Sequence, residues 1–137
     1  MAFKNPSRDE IKNILKENKR IAVVGLSNNP ARTSYMVSQA MQDAGYDIIP
    51  VNPTIDETLG VKAVDSLQDI EGHVDIVNVF RRSEHLPDIM KDAVAIGADV
   101  FWAQLGVSNE EAYQYGKDYP ISIIMDRCIK VEHAMTK

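Results

Sequence analysis

The feature that most constrains the fold is an alternation of short apolar runs with segments of helical periodicity. Residues 21–25 are apolar throughout, 75–80 and 121–124 are mostly apolar, and over residues 37–44 apolar side chains recur three or four positions apart. A run that is apolar throughout is typical of a strand buried on both faces. Strands that alternate with helices are typical of a parallel sheet covered by helices.

The same alternation extends along the whole chain. The predicted strands lie at 21–25, 47–52, 62–64, 75–80, 99–102 and 121–124. Capping-box patterns at 7–10 and 108–111 predict helix starts, and Gly45 is placed to end the second helix. Because crossovers between parallel strands are right-handed, we expect a single Rossmann-like α/β domain over residues 1–137. Its doubly wound, mainly parallel sheet would have five to six strands and helices on both faces.

Composition excludes several classes of protein. The 137 residues suit one domain and carry a net charge of −5, whereas a general nucleic-acid binder is more often basic. No run reaches the roughly 18–20 apolar residues of a membrane helix, and the polar start lacks the apolar centre of a secretory signal. The one cysteine, Cys128, excludes an internal disulfide framework. We therefore expect a cytoplasmic protein without nucleic-acid or membrane partners; the sequence indicates no particular protein partner.

A doubly wound sheet binds ligands where strand order reverses, at the carboxyl ends of its strands. That place should lie between strands 21–25 and 75–80. The loop after the first strand leads into a helix N-terminus, which attracts anions. In it Gly25 allows close backbone approach, Ser27, Thr33 and Ser34 offer hydroxyls, and Arg32 offers a planar charged fork. The alternative is that Thr33 or Ser34 caps the helix and Arg32 is solvated.

The chain lacks the motif residues of several common nucleotide-binding sites, which narrows the class of nucleotide it could bind. A dinucleotide fingerprint needs three spaced glycines, but Ser27 and Pro30 occupy its second and third glycine positions. An NAD-type site wants a carboxylate after the second strand, where this chain has residues 52–53, with Asp56 slightly farther on. A P-loop ends in Gly-Lys-Ser/Thr, which residues 30–32 do not supply, so ATP hydrolysis is disfavoured.

The second border of the crevice carries Arg81, Arg82 and Ser83 directly after an apolar strand. Arginines at a strand's carboxyl end, facing an anion loop, could hold phosphates. The alternatives are a surface ion pair with Glu84 or Asp88, or simple solvation. Adjacent arginines rarely both reach one ligand, so we expect one to contact the ligand and the other to be structural.

Five segments together resemble a known family. They are VVGLSNNPARTSY (23–35), PVNP (50–53), VFRRSE (79–84), WAQLGV (102–107) and MDRCIKVEH (125–133). In order and spacing they resemble the small stand-alone CoA-binding proteins, which are similar to the CoA-binding domain of the succinyl-CoA synthetase α subunit. The resemblance covers nearly the whole chain.

The resemblance implies a binder of coenzyme A or acyl-CoA and gives roles to matching positions. The resemblance places near the phosphates Gly25, Ser27, Arg32 and Ser34, and by the adenosine Asn52 and Pro53. It places on the opposite wall Phe80, Arg81, Arg82 and Ser83, and near the pantetheine arm Gln104. The synthetase also uses a second domain with a phosphorylated histidine, and a β subunit. A chain this short holds neither, so we expect no catalytic residues and a protein that is not an enzyme.

Three alternatives remain open at this stage. The chain could belong to a nucleotide-dependent enzyme, either an NAD(P)-type oxidoreductase or an acyl-CoA ligase component, or it could be an interaction module regulated by CoA. The three histidines and Cys128 show no metal-binding spacing. Cys128 is either an inert buried thiol or a thiolate able to form a mixed disulfide with the thiol of CoA.

Overall fold

The computed structural model describes residues 3–136, which form one α/β unit. Its strands are β1 (Arg20–Val24), β2 (Asp47–Val51), β3 (Glu57–Thr58), β4 (Val61–Lys62), β5 (Ile76–Val79), β6 (Val100–Ala103) and β7 (Ser122–Ile124). Its α-helices are α1 (Arg8–Glu17), α2 (Thr33–Asp43), α3 (Leu86–Ala95), α4 (Glu110–Gly116) and α5 (Ile129–Thr136). Short 3-10 turns at Leu67–Asp69 and Ser83–His85 complete it.

Five parallel strands form the main sheet in the order β2-β1-β5-β6-β7. Central β1 pairs with β2 on one side and β5 on the other, so Ile21 stands between Ile48 and Ile76. The strand order therefore reverses at β1, as predicted. The Rossmann-like fold class is confirmed.

The predicted strand at 62–64 does not join the main sheet, which accordingly has five strands and not six. β3 and β4 form a separate two-stranded antiparallel ribbon, closed by Gly60 at φ +74°. Val64 contributes one isolated parallel bridge to Val51. The run is too short and too polar to continue: Lys62 is exposed and Asp65 follows Val64 directly.

Apolar side chains alternate between the two faces of the sheet, as strand geometry requires. Ile21 and Val23 belong to the cluster that includes Ile11 of α1, Met41 of α2 and Ile129 of α5. The neighbouring side chains of β1 belong instead to the cluster formed with α3 and α4. Helices thus cover both faces, and every residue of β5 and β6 is buried.

Strand β2 tolerates Pro50 because β2 lies at the edge of the sheet, where a residue without a backbone N–H does not break the pairing between two strands. Val64 pairs with the outer side of this strand through two backbone hydrogen bonds. Its N–H donates to the Pro50 carbonyl (3.0 Å), and its carbonyl accepts from the Asn52 N–H (2.9 Å). The segment before β5 is thereby fixed beside the carboxyl end of β2.

The helix ends confirm one sequence prediction and correct another. Ser7 and Glu10 form the predicted reciprocal capping box of α1. At α4 the cap is Asn109, whose side chain accepts from the Ala112 N–H at 3.0 Å, and not Ser108. The Ser108 N–H instead donates to the Ser83 hydroxyl at 3.1 Å, because this loop packs against the end of β5.

The segment after β7 forms α5, which packs against α1. Buried Glu132 lies 3.5 Å from Arg8 of α1. Near the start of the described chain, Asn5 donates to the Met125 carbonyl (2.8 Å) and accepts from its N–H (2.9 Å). No helix within residues 3–136 is both long and apolar enough to cross a membrane.

Candidate functional site

Gly25 marks the point where the chain leaves β1 between its two neighbours. Its N–H donates to the Val51 carbonyl at 2.9 Å, which ties the turn to β2. Its φ is +88°, and a Cβ there would lie 2.7 Å from the Phe80 carbonyl oxygen. Only glycine fits this backbone without strain, so the carboxyl ends of β1 and β5 approach closely because position 25 has no side chain.

Two cavities open on either side of this turn and share Gly25 and Phe80. The β2-side cavity, of about 510 Å³, is lined by Val24, Gly25, Val51, Asn52, Pro53, Thr54, Asp65, Phe80 and Arg81. The α2-side cavity, of about 400 Å³, is lined by Gly25, Ser27, Arg32, Thr33, Ser34 and Phe80. The structure therefore brings most of the sequence-predicted site residues to one crevice at the switch point.

The N-terminus of α2 faces the α2-side cavity without a side-chain cap. Its N-cap is Arg32, whose side chain makes no capping hydrogen bond, and the first turn holds no acidic residue. The first helical hydrogen bond runs from the Met36 N–H to the Arg32 carbonyl (3.1 Å), so the amides of residues 33–35 precede the ladder. Capping by Thr33 or Ser34, the alternative weighed above, is not what the structure shows. Uncapped amides and a positive helix end favour an anion.

Hydrogen bonds within the loop between β1 and α2 fix its shape. The Ser34 hydroxyl accepts from the Ser27 N–H (3.0 Å), and the Ser27 hydroxyl accepts from the Asn29 N–H (3.0 Å). From outside the loop, Thr58 donates to the Ser27 carbonyl (3.2 Å). Ser27 and Ser34 therefore organise the loop as well as line the cavity.

Asn52 has a structural role in addition to its place in the β2-side cavity. Its amide nitrogen donates to the Leu26 carbonyl (3.1 Å), and its amide oxygen accepts from the N–H and hydroxyl of Thr54 (2.9 and 2.7 Å). Neighbouring Pro53 is exposed and lines the same cavity. Asn52 thus joins the loop after β1 to the loop after β2.

The two arginines after β5 take different positions in the structure. Arg81 lines the β2-side cavity, and its Cδ would lie 3.1 Å from a Cβ at Gly25. Arg82 points away with its side chain 83% exposed, and its Nε lies 3.3 Å from a Glu84 carboxylate oxygen. That is the surface ion pair weighed among the alternatives.

Two other predicted residues stand outside both cavities. Ser83 is engaged by the loop before α4: its hydroxyl accepts from Ser108, and its carbonyl accepts from the Asn109 side chain at 3.0 Å. Gln104 follows β6 and is 5% exposed; its side-chain oxygen has no hydrogen-bond partner within residues 3–136. Sequence reasoning missed Thr54 and Asp65, which line the β2-side cavity. Asp65 could not be found from the sequence, because the bridge between its neighbour Val64 and Val51 brings it to this cavity, and that bridge exists only in the folded chain.

One cluster of titratable groups lies at the opposite, amino edge of the sheet. His73 Nε2 is 2.7 Å from an Asp99 carboxylate oxygen and 3.6 Å from one of Asp75. The hydrogen bond with Asp99 is the main cause that raises the pKa of His73 above its usual range. The three potential ligand atoms lie within 4.8 Å of one another, and their ion pairing accounts for this proximity.

Cys128 is half-buried and packs against the α1–α2–α5 side of the core.

Fold and crevice together define a class: a Rossmann-like domain with an anion-attracting helix N-terminus at its switch point. The sequence profile described as "CoA binding domain" matches residues 19–134. The chain therefore belongs to the CoA-binding domain family.

Three known proteins illustrate what this chain is similar to. An uncharacterised protein of Bacillus subtilis is 66% identical over 135 residues, spanning 98% of this chain and 100% of that protein. A solved structure, a hypothetical protein from Pyrococcus horikoshii OT3, has a TM-score of 0.92 and 31% identity and covers 99% of both chains. The ADP-forming acetate–CoA ligase of Methanocaldococcus jannaschii is 25% identical over 121 residues, 82% of this chain but 17% of the ligase.

Proposed function

We propose that this protein binds coenzyme A or an acyl-CoA in the crevice formed by the two cavities, without a catalytic apparatus of its own. The observation that carries the proposal is the N-terminus of α2, which opens into the crevice with Arg32 as its N-cap and no side-chain cap. An anion placed there would accept hydrogen bonds from the first-turn amides and gain from the helix dipole.

The charges on the two walls suit a ligand with more than one phosphate group. Arg32 lines the α2-side cavity and Arg81 the β2-side cavity, with Gly25 between them. CoA carries a diphosphate and a 3′-phosphate, so cations on both sides of the turn have separate partners. The absence of a Cβ at Gly25 leaves the backbone open to the ligand.

The proposal of binding without turnover rests on what lines the crevice. The two cavities are lined by arginine, hydroxyl, amide and apolar residues and by a single carboxylate, that of Asp65. Neither histidine nor cysteine is among these lining residues, so an obvious acid–base pair or nucleophile is not brought to the ligand. The chain also corresponds to 17% of the acetate–CoA ligase it resembles.

Calorimetry with CoA, acetyl-CoA, dephospho-CoA, NAD, NADP and ATP tests the proposal. We expect CoA and acetyl-CoA to bind most tightly. Arg32→Ala and Arg81→Ala should each weaken CoA roughly tenfold or more, since a hydrogen bond to a charged group contributes about 1.5–3 kcal/mol. Arg82→Ala is the matched control, because Arg82 pairs with Glu84 at the surface.

Two results would contradict the proposed binding of CoA in this crevice. One is a wild-type protein that binds NAD or NADP and not CoA, which would favour the oxidoreductase alternative. The other is an Arg82→Ala variant that loses as much CoA affinity as Arg81→Ala, which would place the ligand elsewhere. Conversion of an acyl-CoA by the wild-type protein alone would refute the non-enzymatic part and favour the ligase-component alternative.

A further inference from the structure

A carboxylate stands beside the carboxyl end of β2, although no acidic residue directly follows that strand in the sequence. Val64 forms a parallel bridge with Val51 and exchanges backbone hydrogen bonds with Pro50 (3.0 Å) and Asn52 (2.9 Å). The residue after Val64 is Asp65, which therefore lies beside Asn52 at the same sheet edge. Asp65 lines the β2-side cavity.

The Asp65 carboxylate is available to a ligand. It is exposed, and it makes no hydrogen bond or ion pair with any other residue in the described part of the chain. The neighbouring polar side chains in the same cavity, Asn52 and Thr54, already bond to each other. Asp65 is thus the acceptor on this wall whose side chain is not engaged within the protein.

An ionised carboxylate can only accept hydrogen bonds, and it repels phosphate groups at close range. The part of CoA that suits this wall is therefore an uncharged donor of its adenosine half. Sites that bind dinucleotides place an acidic residue at the end of the second strand, where it holds ribose hydroxyls. Here a later segment, paired with β2 at a single residue, brings a carboxylate to the same place.

Building on the proposed function, we propose that Asp65 accepts a hydrogen bond from the ribose 2′-hydroxyl of bound CoA and selects nucleotides that carry phosphate on the 3′-oxygen. A 2′-phosphate would remove this donor and set a negative charge against the carboxylate. A 3′-phosphate leaves the 2′-hydroxyl free. Arg81 lines the same cavity and supplies the cation for that phosphate.

A pair of isomeric probes tests this directly. Adenosine 3′,5′-bisphosphate corresponds to the nucleotide half of CoA, and adenosine 2′,5′-bisphosphate has the same charge with the phosphate moved by one atom of the ribose. We expect calorimetry to show the wild-type protein preferring the 3′,5′ isomer by about tenfold or more, because the wrong isomer both loses a charge-assisted hydrogen bond and meets a like charge. Asp65→Asn should reduce the preference to about threefold or less, with most of the change in the 2′,5′ isomer.

Asp56→Asn is the matched control, since Asp56 is exposed, changes the net charge equally and lines neither cavity. A wild-type protein that binds CoA without discriminating between the isomers would overturn the assignment of Asp65 and leave the proposed function intact. So would an isomer preference that survives Asp65→Asn or is lost equally in Asp56→Asn. A wild-type protein that binds neither CoA nor either bisphosphate would overturn the proposed function and this inference together.

Discussion

Replacing Gly25 by alanine should damage both the stability and the ligand site of this protein. A residue with a Cβ at φ +88° pays a left-handed backbone penalty of about 1–2 kcal/mol. The new methyl would also lie 2.7 Å from the Phe80 carbonyl oxygen. Phe80 cannot retreat freely, because its N–H donates to Val24 at 2.9 Å. Overpacking of this kind costs a further ~1–3 kcal/mol, so the free energy of unfolding should fall by about 2–5 kcal/mol.

A second glycine separates the two causes. Gly45 has φ +100° with nothing within 4 Å of an added Cβ. Gly45→Ala therefore carries the backbone penalty alone, about 1–2 kcal/mol. Urea unfolding of both variants should show Gly25→Ala losing roughly 1–3 kcal/mol more than Gly45→Ala. Calorimetry should show weakened CoA binding for Gly25→Ala and nearly unchanged binding for Gly45→Ala.

Equal destabilisation by the two substitutions would refute the steric part of this reasoning. It would mean that the turn after β1 can move away from β5 at little cost. CoA binding by a folded Gly25→Ala variant with wild-type affinity would refute the assignment of this turn to the ligand site. Circular dichroism decides whether the variant is folded before its binding is measured.

Three further predictions concern parts of the fold outside the crevice. Because Asp99 raises the pKa of His73, the stability that this pair contributes is fully present below the unfolded pKa near 6.5 and is lost as pH rises through the folded pKa. His73→Gln should therefore lower the free energy of unfolding more at about pH 5.5 than at about pH 9. A larger loss at pH 9 in urea unfolding would exclude the pair as the cause. Asn109→Ala should cost about 1–2 kcal/mol in the same assay, because it removes the cap of α4 and a bond to the Ser83 carbonyl; an unchanged midpoint would contradict the capping role. Trp102→Phe should cost about 1–3 kcal/mol, because it leaves the Arg127 carbonyl without its 2.9 Å indole donor; a smaller loss would mean that water replaces the donor.

Much of this fold could be predicted from the sequence because the central strands are mostly apolar. Residues 75–80 and 99–102 read as buried strands, and the structure buries all of β5 and β6. The segment at 62–64 could not be assigned correctly, since two or three residues of mixed polarity do not show whether they pair with a sheet or with each other. Helix α5 was not predicted, because its buried positions include Glu132, whose polarity hides the helical pattern.

The site was less predictable than the fold. Gly25 and Arg32 could be found from the sequence, because a strand–loop–helix junction places them by local order. The sequence could not show which of Arg81 and Arg82 lines the cavity, since both directly follow the same strand; in the structure Arg82 instead pairs with Glu84 at the surface. Asp65 was missed because its position beside Asn52 comes from a bridge between residues 51 and 64, which no local pattern reports.

Hydrogen bonds beside the two edge strands of the sheet, β2 and β7, have a consequence for self-association. An uncovered edge strand invites pairing with another chain. Here Val64 occupies backbone groups beside the end of β2, where Pro50 also lacks an N–H, and the Asn5 side chain occupies both backbone groups of Met125 after β7. A second strand that paired with the carboxyl end of β2 or with the residue after β7 would have to displace these bonds. The fold thus discourages strand-to-strand pairing at the carboxyl end of each edge strand, with one bridging residue beside β2 and one side-chain amide after β7.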